Sequence, residues 1–285
     1  MSSAPQALHI PGYEVLAYLG SGARSTIWRV RQRRTNQEFA LKRVVRRHLE
    51  DRRFLEQTLN EGVVGARLDH PVVRHVHRTR RVNRWFALRE VRLIMELCHG
   101  NTVQETRPES IREVLRIFTA VADGLVYVNA QGFVHADMKP NNILVGPDGT
   151  VKVIDLGQSC PIGTVKKRIQ GTPDFIAPEQ VRRRPLDART DVFNFGAALY
   201  WTLTGKPIPT LLPKKDAVTL TDELSIVPAD ELNPRVPAAL SKLIRRCVEQ
   251  TPARRPSSME DVKARLGAIA ASLSVHDAEG AEPRS

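Results

Sequence analysis

Asp137, Lys139 and Asn142 stand within six residues of one another in HADMKPNNIL (135 to 144), just after His135 and just before an apolar run. A carboxylate at Asp137 can accept a proton from an attacking hydroxyl. Lys139 can set its charge against a phosphoryl group in transfer, and Asn142 offers a neutral oxygen to a hard cation. NILV, the turn GPDG and VKVIDLG then read as a hairpin that returns Asp155 to the same end, giving the cation a second, charged ligand. Two carboxylates alone serve many chemistries. Asp, Lys and Asn at this spacing, with a hairpin to a second Asp, is far more specific.

Upstream, LGSGARSTI (19 to 27) lies between two apolar segments. Gly20 and Gly22 permit close backbone approach, so that amide N–H groups can cover phosphate oxygens. An ordinary glycine turn would look the same. Fifteen residues past Ile27, FALK puts Lys42 on a strand among apolar neighbours. A lysine facing a buried surface needs a carboxylate or phosphate partner, and Glu61 can supply the carboxylate; two separate surface residues are the alternative.

These groups need a scaffold. YEVLAYLG, STIWRVRQ, EFALKRVV, HVHRTRRV and ALREVRLIMEL carry strand signals, and a helix is expected from Asp51 to Leu68, before His70-Pro71. After Gly100 the pattern turns helical: Ile111, Val114, Leu115, Phe118, Val121, Leu125 and Val128 recur at steps of three and four. VFNFGAALYWTLT (192 to 204) reads as a buried core helix, being too short to span a bilayer. A small β-rich lobe thus joins a larger helical lobe near ELCHG (96 to 100), and a cleft between two such lobes suits a small molecule. The stretch from Ser274 is polar and is expected to be disordered.

The hydrophobic fraction of 41% and charged fraction of 26% are those of a globular protein, and the N-terminus lacks the features of a secretion signal. Three widely spaced cysteines, Cys98, Cys160 and Cys247, exclude a disulfide framework or zinc site and point to a reducing compartment, the cytoplasm. The net charge is +12, concentrated between Pro11 and Leu97, where 19 Lys and Arg face 9 Asp and Glu. Such a run is ordinarily a solvated face; the sharper alternatives are docking of an acidic partner, an anionic membrane or a nucleic acid, the last carrying least weight.

Taken in chain order, the glycine loop at 20 to 25, FALK, Glu61, IMEL (94 to 97), HADMKPNN, DLG (155 to 157), GTPDFIAPE (171 to 179), Asp191 and the ARRP that ends at Pro256 resemble the protein kinase superfamily. Lys139 after Asp137, and Thr172, resemble its serine/threonine members, and the composition suits a bacterial one. The resemblance implies a two-lobed α+β fold with an ATP site in the cleft, and a kinase domain over 13–270. Its N-lobe would cover 13–97 and its C-lobe 101–270, with tails at 1–12 and 271–285.

It also implies roles. Lys42, held by Glu61, grips the ATP phosphates beneath Leu19, Gly20, Ser21, Gly22, Ala23, Arg24 and Ser25. Ile27, Ala40, Met95 and Leu144 enclose the adenine, which hydrogen-bonds the backbone at Glu96 and Cys98. Asn142 and Asp155 hold Mg2+, Asp137 orients the Ser or Thr hydroxyl of a protein substrate, and Lys139 neutralises the γ-phosphoryl group. Gly157, Thr172 and Glu179 belong to the activation and substrate segment; Glu179 pairs with Arg255, and Asp191 braces the catalytic loop.

Several positions depart from the family pattern. Ala136 replaces an Arg that usually pairs with an activation-loop phosphate, and a methyl group forms no such pair. Lys166, Lys167 and Arg168 stand where a phosphorylatable Thr is common, so activity independent of that phosphorylation is expected, with Ser159 and Thr164 dispensable. Leu156 for Phe is a modest exchange, and Ser25 keeps a small side chain in place of the third glycine. Gly65 replaces a bulky apolar residue one turn after Glu61, and the space is expected to stay empty unless Phe54, Phe86 or another residue fills it. An empty space would make the active arrangement depend on a partner. Thr102 stands where an acidic residue often contacts the ribose. Cys160 reads either as a redox-sensitive thiol near Lys166 and Lys167 or as a small, partly buried residue. Ala136 and Gly65 keep a second class open, a pseudokinase scaffold that binds nucleotide or a partner without turnover.

Overall fold

The computed structural model describes residues 8–22, 24–211 and 226–280 as two units of an α+β chain. One unit comprises residues up to Asp69, Arg74–His99 and Asp155–Gly157; the other comprises His70–Val73, Gly100–Ile154 and the rest from Gln158.

Among the described residues, the first unit is a five-stranded antiparallel sheet with one α-helix. Its strands are β1 (Tyr13–Gly22), β2 (Ser25–Gln32), β3 (Glu38–Val45), β4 (Val76–Arg84) and β5 (Ala87–Met95), in spatial order β1-β2-β3-β5-β4. Alternation along the strands sends Trp28, Val30, Phe39, Leu41 and Ile94 to one face, where Ile10 covers them. Ala40, Val44, Val91, Leu93 and Met95 go to the other, against Leu55 of helix α1 (Arg52–Gly65). Lys42 shares the face of Ala40 and Val44, so its side chain points to α1 rather than to solvent.

Helix α1 lies close to the sheet because it presents glycines there. A Cβ at Gly62 would collide with Thr79 and stand 2.9 Å from Leu93. At Gly65 it would collide with Val76 and lie 3.5 Å from Leu156. The space beside Gly65 is therefore occupied, the filled outcome that the sequence left open. The occupants are Val76, 2% exposed, and Leu156; Phe86 is fully exposed.

The second unit is mainly helical. It begins with β6 (Asn101–Thr102) and α2 (Ile111–Ala130), followed by β7 (Phe133–Val134), β8 (Ile143–Val145), β9 (Val151–Val153) and β10 (Cys160–Pro161). Helices α3 (Pro178–Val181), α4 (Ala188–Thr204), α5 (Ala229–Leu232), α6 (Ala238–Cys247) and α7 (Met259–Gly280) complete it. Ser110 caps α2, its hydroxyl accepting from the Glu113 N–H at 3.1 Å. Asp187 caps α4, which ends at Gly205 in the left-handed region with φ 72°. Helix α2 buries one apolar stripe and α4 is buried on nearly all sides, both in one core where Phe118 and Phe195 meet edge to face.

Val73 bridges Val153 and the Val72 carbonyl accepts from its N–H, which ties 70–73 to this unit. Helix α7 continues to Gly280, so residues 274–280 are helical where polar composition suggested disorder; 281–285 lie outside the described residues. Among the described residues no helix is long and apolar enough to cross a membrane.

Candidate active site

Within the first unit, Lys42 Nζ stands 2.5 Å from Glu61 Oε2 and 3.6 Å from Asp155 Oδ1. Glu61 is 2% exposed, and Arg74 approaches its other oxygen at 3.5 Å. Burial works against the Lys42 charge, but Asp155 and Glu61 outweigh it and hold the ammonium above the ordinary lysine value. Asp155 has φ 65°, and its Oδ1 accepts the Gly157 N–H at 3.2 Å. Asn60 of α1 donates to the Gly157 carbonyl at 3.1 Å. A Cβ at Gly157 would stand 2.7 Å from Gln57, so no side chain fits. The helix thus holds this segment at Gly157.

The glycine loop joins β1 and β2, with Gly20, Ser21 and Gly22 opposite Ile27, Thr26 and Ser25. Leu19 is half-exposed and Ser25 is buried; Ala23 lies outside the described residues. Arg24, at φ 66°, stands 3.3 Å from buried Asp51, which also accepts the N–H groups of Arg47 and His48 at 2.9 and 2.8 Å. Sequence reading missed this link, since no spacing rule joins 24 to 51. Ala40 pairs with Met95 across β3 and β5, and both are buried. Beyond them, Glu96 binds His75 through its backbone N–H and its carboxylate, and the Cys98 thiol points at the Glu96 carbonyl.

Within the second unit, Asp137 is the centre of a closed triangle. Its Oδ2 accepts Lys139 Nζ at 2.8 Å, and its Oδ1 accepts the Thr172 hydroxyl at 2.9 Å. Lys139 also donates to Thr172 Oγ1 at 2.7 Å. Asn142 donates its amide N–H to the Asp137 carbonyl at 2.8 Å, which turns its own oxygen to the remaining side. Leu144 lies on β8 opposite Lys152 and Thr102. The Thr102 N–H and hydroxyl both donate to Glu105, at 2.8 and 2.9 Å, so a carboxylate missed in the sequence stands beside Thr102.

Asp191 is fully buried and accepts the His135 and Ala136 N–H groups at 2.9 Å each and Asn129 Nδ2 at 2.8 Å. Burial pushes its carboxyl up, against the donors that favour the charged form. Gln180 donates to the Ala136 carbonyl at 2.8 Å. Gripped on both peptide groups, Ala136 adopts a left-handed φ of 59°, a conformation that costs a non-glycine residue on the order of 1–3 kcal/mol. Its methyl group packs with Val134, Cys160 and Leu186. Cys160 is 4% exposed and burial pushes its thiol up, which removes the redox reading. Arg255 makes a two-pronged pair with Glu179 at 2.7 and 2.9 Å, and Thr190 adds a hydrogen bond at 2.9 Å.

Asn142 and Asp155 offer an amide oxygen and a carboxylate, the hard donors that magnesium takes. Among the described residues no cluster of three or more His, Cys, Asp and Glu is arranged for a metal.

Residues 13–266 match the protein kinase domain family. The serine/threonine-protein kinase PknL of Mycobacterium tuberculosis is 30% identical over 284 residues, covering 96% of this chain and 69% of that protein. A probable serine/threonine-protein kinase of Clostridium acetobutylicum is 27% identical over 262 residues, 88% of this chain and 38% of its own. Another, of Corynebacterium efficiens, is 32% identical over 205 residues, 68% of this chain and 31% of its own. The chain therefore spans about a third of the length of these last two relatives. With its match running from the first strand into the last helix, the chain belongs to the protein kinase domain family.

Proposed function

We propose that the chain is a serine/threonine protein kinase that transfers the γ-phosphate of ATP to Ser and Thr hydroxyls of protein substrates in the cytoplasm. The observation that carries this reading is the Asp137–Lys139–Thr172 triangle, which aims one carboxylate oxygen and one ammonium at the same point. The substrate oxygen bonds to the γ-phosphorus as the bond to the β,γ-bridging oxygen breaks. Asp137 receives the hydroxyl proton, and Lys139 balances the charge that spreads over the phosphoryl oxygens. Lys42, fixed by Glu61, grips the ATP phosphates, and its charged form is favoured by the carboxylates around it. Asn142 and Asp155 would hold magnesium, which when bound neutralises phosphate charge. Glu96 and Cys98 offer backbone groups to the adenine, and Glu105 supports a ribose contact beside Thr102.

The same reading takes the kinase as independent of activation-segment phosphorylation, because apolar packing fills the position of the usual phosphate-binding arginine. The scaffold alternative rested on Ala136 and Gly65. Val76 and Leu156 fill the space beside Gly65, and Ala136 is packed and hydrogen-bonded, so no observation favours it.

The test is transfer of labelled γ-phosphate from Mg-ATP to the chain itself and to a generic basic protein, comparing wild type with Asp137→Asn. Label in wild type that vanishes in the variant supports the proposal. ATP binding that depends on Lys42, without any transfer, would replace it with the scaffold.

A further inference from the structure

The β4–β5 hairpin ends in a two-residue turn, Trp85-Phe86, closed by the pair Arg84–Ala87. Trp85 is 88% exposed and Phe86 fully so. Trp85 also has φ 57°, a value that bulky side chains rarely adopt and that hairpin turns usually assign to Gly, Asn or Asp. The turn thus holds two large aromatic rings in water on a strained backbone, where Asn-Gly would fold with less cost.

Along the same strand Arg78, Arg80, Arg81 and Arg84 are exposed. Among the described residues their side chains have no ion pair or hydrogen bond. β4 is the outermost strand, and charge there guards against edge-to-edge pairing. That accounts for the arginines. It leaves the aromatic pair unexplained, because exposed rings create the sticky surface that such a guard prevents.

We propose that this hairpin docks the protein on an anionic phospholipid surface. Trp85 and Phe86 enter the boundary between headgroups and acyl chains, where aromatic rings are favoured, while Arg84 lies at the level of the lipid phosphates and Arg81, Arg80 and Arg78, farther along the strand, draw the tip to the anionic surface. A convex apolar tip on a cationic strand suits a deformable surface. A single-stranded nucleic acid would call for stacking rings spaced along a cationic track, and here both rings sit at one end. The inference is independent of phosphoryl transfer.

The test is co-sedimentation of the full chain with phosphatidylcholine vesicles and with mixed phosphatidylcholine–phosphatidylserine vesicles. Binding is expected to the anionic vesicles alone, weakened by salt, by about fivefold for Arg84→Ala, and by progressively less for Arg81, Arg80 and Arg78 replaced by Ala. Trp85→Ala with Phe86→Ala should lose at least about tenfold, with an unchanged melting temperature. Absence of binding to anionic vesicles, equal binding to both compositions, or indifference to the aromatic pair would each overturn the proposal. So would binding through these residues to single-stranded oligouridylate or polyglutamate in place of vesicles.

Discussion

Gly65 and Val76 share one volume: a Cβ on Gly65 would overlap Cγ2 of Val76 and stand 3.1 Å from its Cβ. The bulky residue that helix α1 lacks is supplied from β4. Gly65→Leu therefore forces α1 off the sheet, with an expected loss of about 1–3 kcal/mol in urea unfolding. Because Glu61 lies one turn earlier on the same helix, phosphoryl transfer should fall as well. Combining Gly65→Leu with Val76→Ala should recover most of both. A double variant no more stable than the single one would show that the two positions do not compete.

Ser159 is 1% exposed and donates to the His135 carbonyl at 3.3 Å, while Thr164 donates to the Pro161 carbonyl at 2.6 Å. Lys166 holds the Gln158 carbonyl at 2.7 Å, so the segment is tied down without a phosphate. Replacing Ser159 and Thr164 with Ala should leave the transfer rate nearly unchanged; a large loss would refute phosphate independence. Ala136→Arg, by contrast, would bury a guanidinium among Val134, Cys160 and Leu186 and should destabilise the protein by about 3–5 kcal/mol.

How much of this was legible follows from the range of each interaction. Alternating apolar residues in STIWRVRQ and EFALKRVV are a local signal, and β2 and β3 match them residue for residue. The cluster of Asp137, Lys139 and Asn142 was legible for a different reason: they lie within one loop, so spacing alone brings them together. The contents of the space beside Gly65 depend on Val76 from another strand, and no pattern within α1 encodes it. Asp51 with Arg24 and the depth of Cys160 are likewise set by tertiary packing, whereas Glu105 lies only three residues after Thr102, a local T-x-x-E pattern that could have been read from the sequence. The helix over 274–280 was missed because its polar composition resembles that of a disordered segment, although α7 enters the core through Met259, Val262 and Leu266 and needs only to be extended.

Glu90 is 6% exposed and lies between Arg43 and Arg92, with Arg43 donating to both of its oxygens at 2.8 Å. Burial pushes its carboxyl up, but the two guanidinium groups prevail and hold it below the ordinary glutamate value of 4.5. A carboxyl depressed in the folded state stabilises the protein above its unfolded value and loses that contribution as pH falls through the folded one. Glu90→Gln should therefore cost about 1–3 kcal/mol near neutral pH. The gap to wild type should narrow below pH 4.5 as wild type loses its ion pairs. Melting temperatures of both proteins across that range check this, and a constant gap would mean that the charge on Glu90 contributes nothing.

Arg255 is held more firmly than any surface arginine. Its side chain is 0% exposed, and besides both Glu179 oxygens it donates to the Glu249, Gln250 and Arg189 carbonyls, with its guanidinium 4.8 Å from the Phe193 ring centre. Removing it strands a carboxylate that is itself only 7% exposed, and removal of one partner from a buried pair costs about 3–5 kcal/mol. Arg255→Met should therefore lower the unfolding free energy by that amount in urea. Arg255→Lys keeps the charge but not the two-pronged geometry, and should recover only part. Adding Glu179→Gln to Arg255→Met removes the stranded charge and should regain stability over the single variant. If the double variant is less stable than Arg255→Met, the carboxylate is satisfied by Thr190 alone, and the arginine contributes through its carbonyl contacts rather than through the pair.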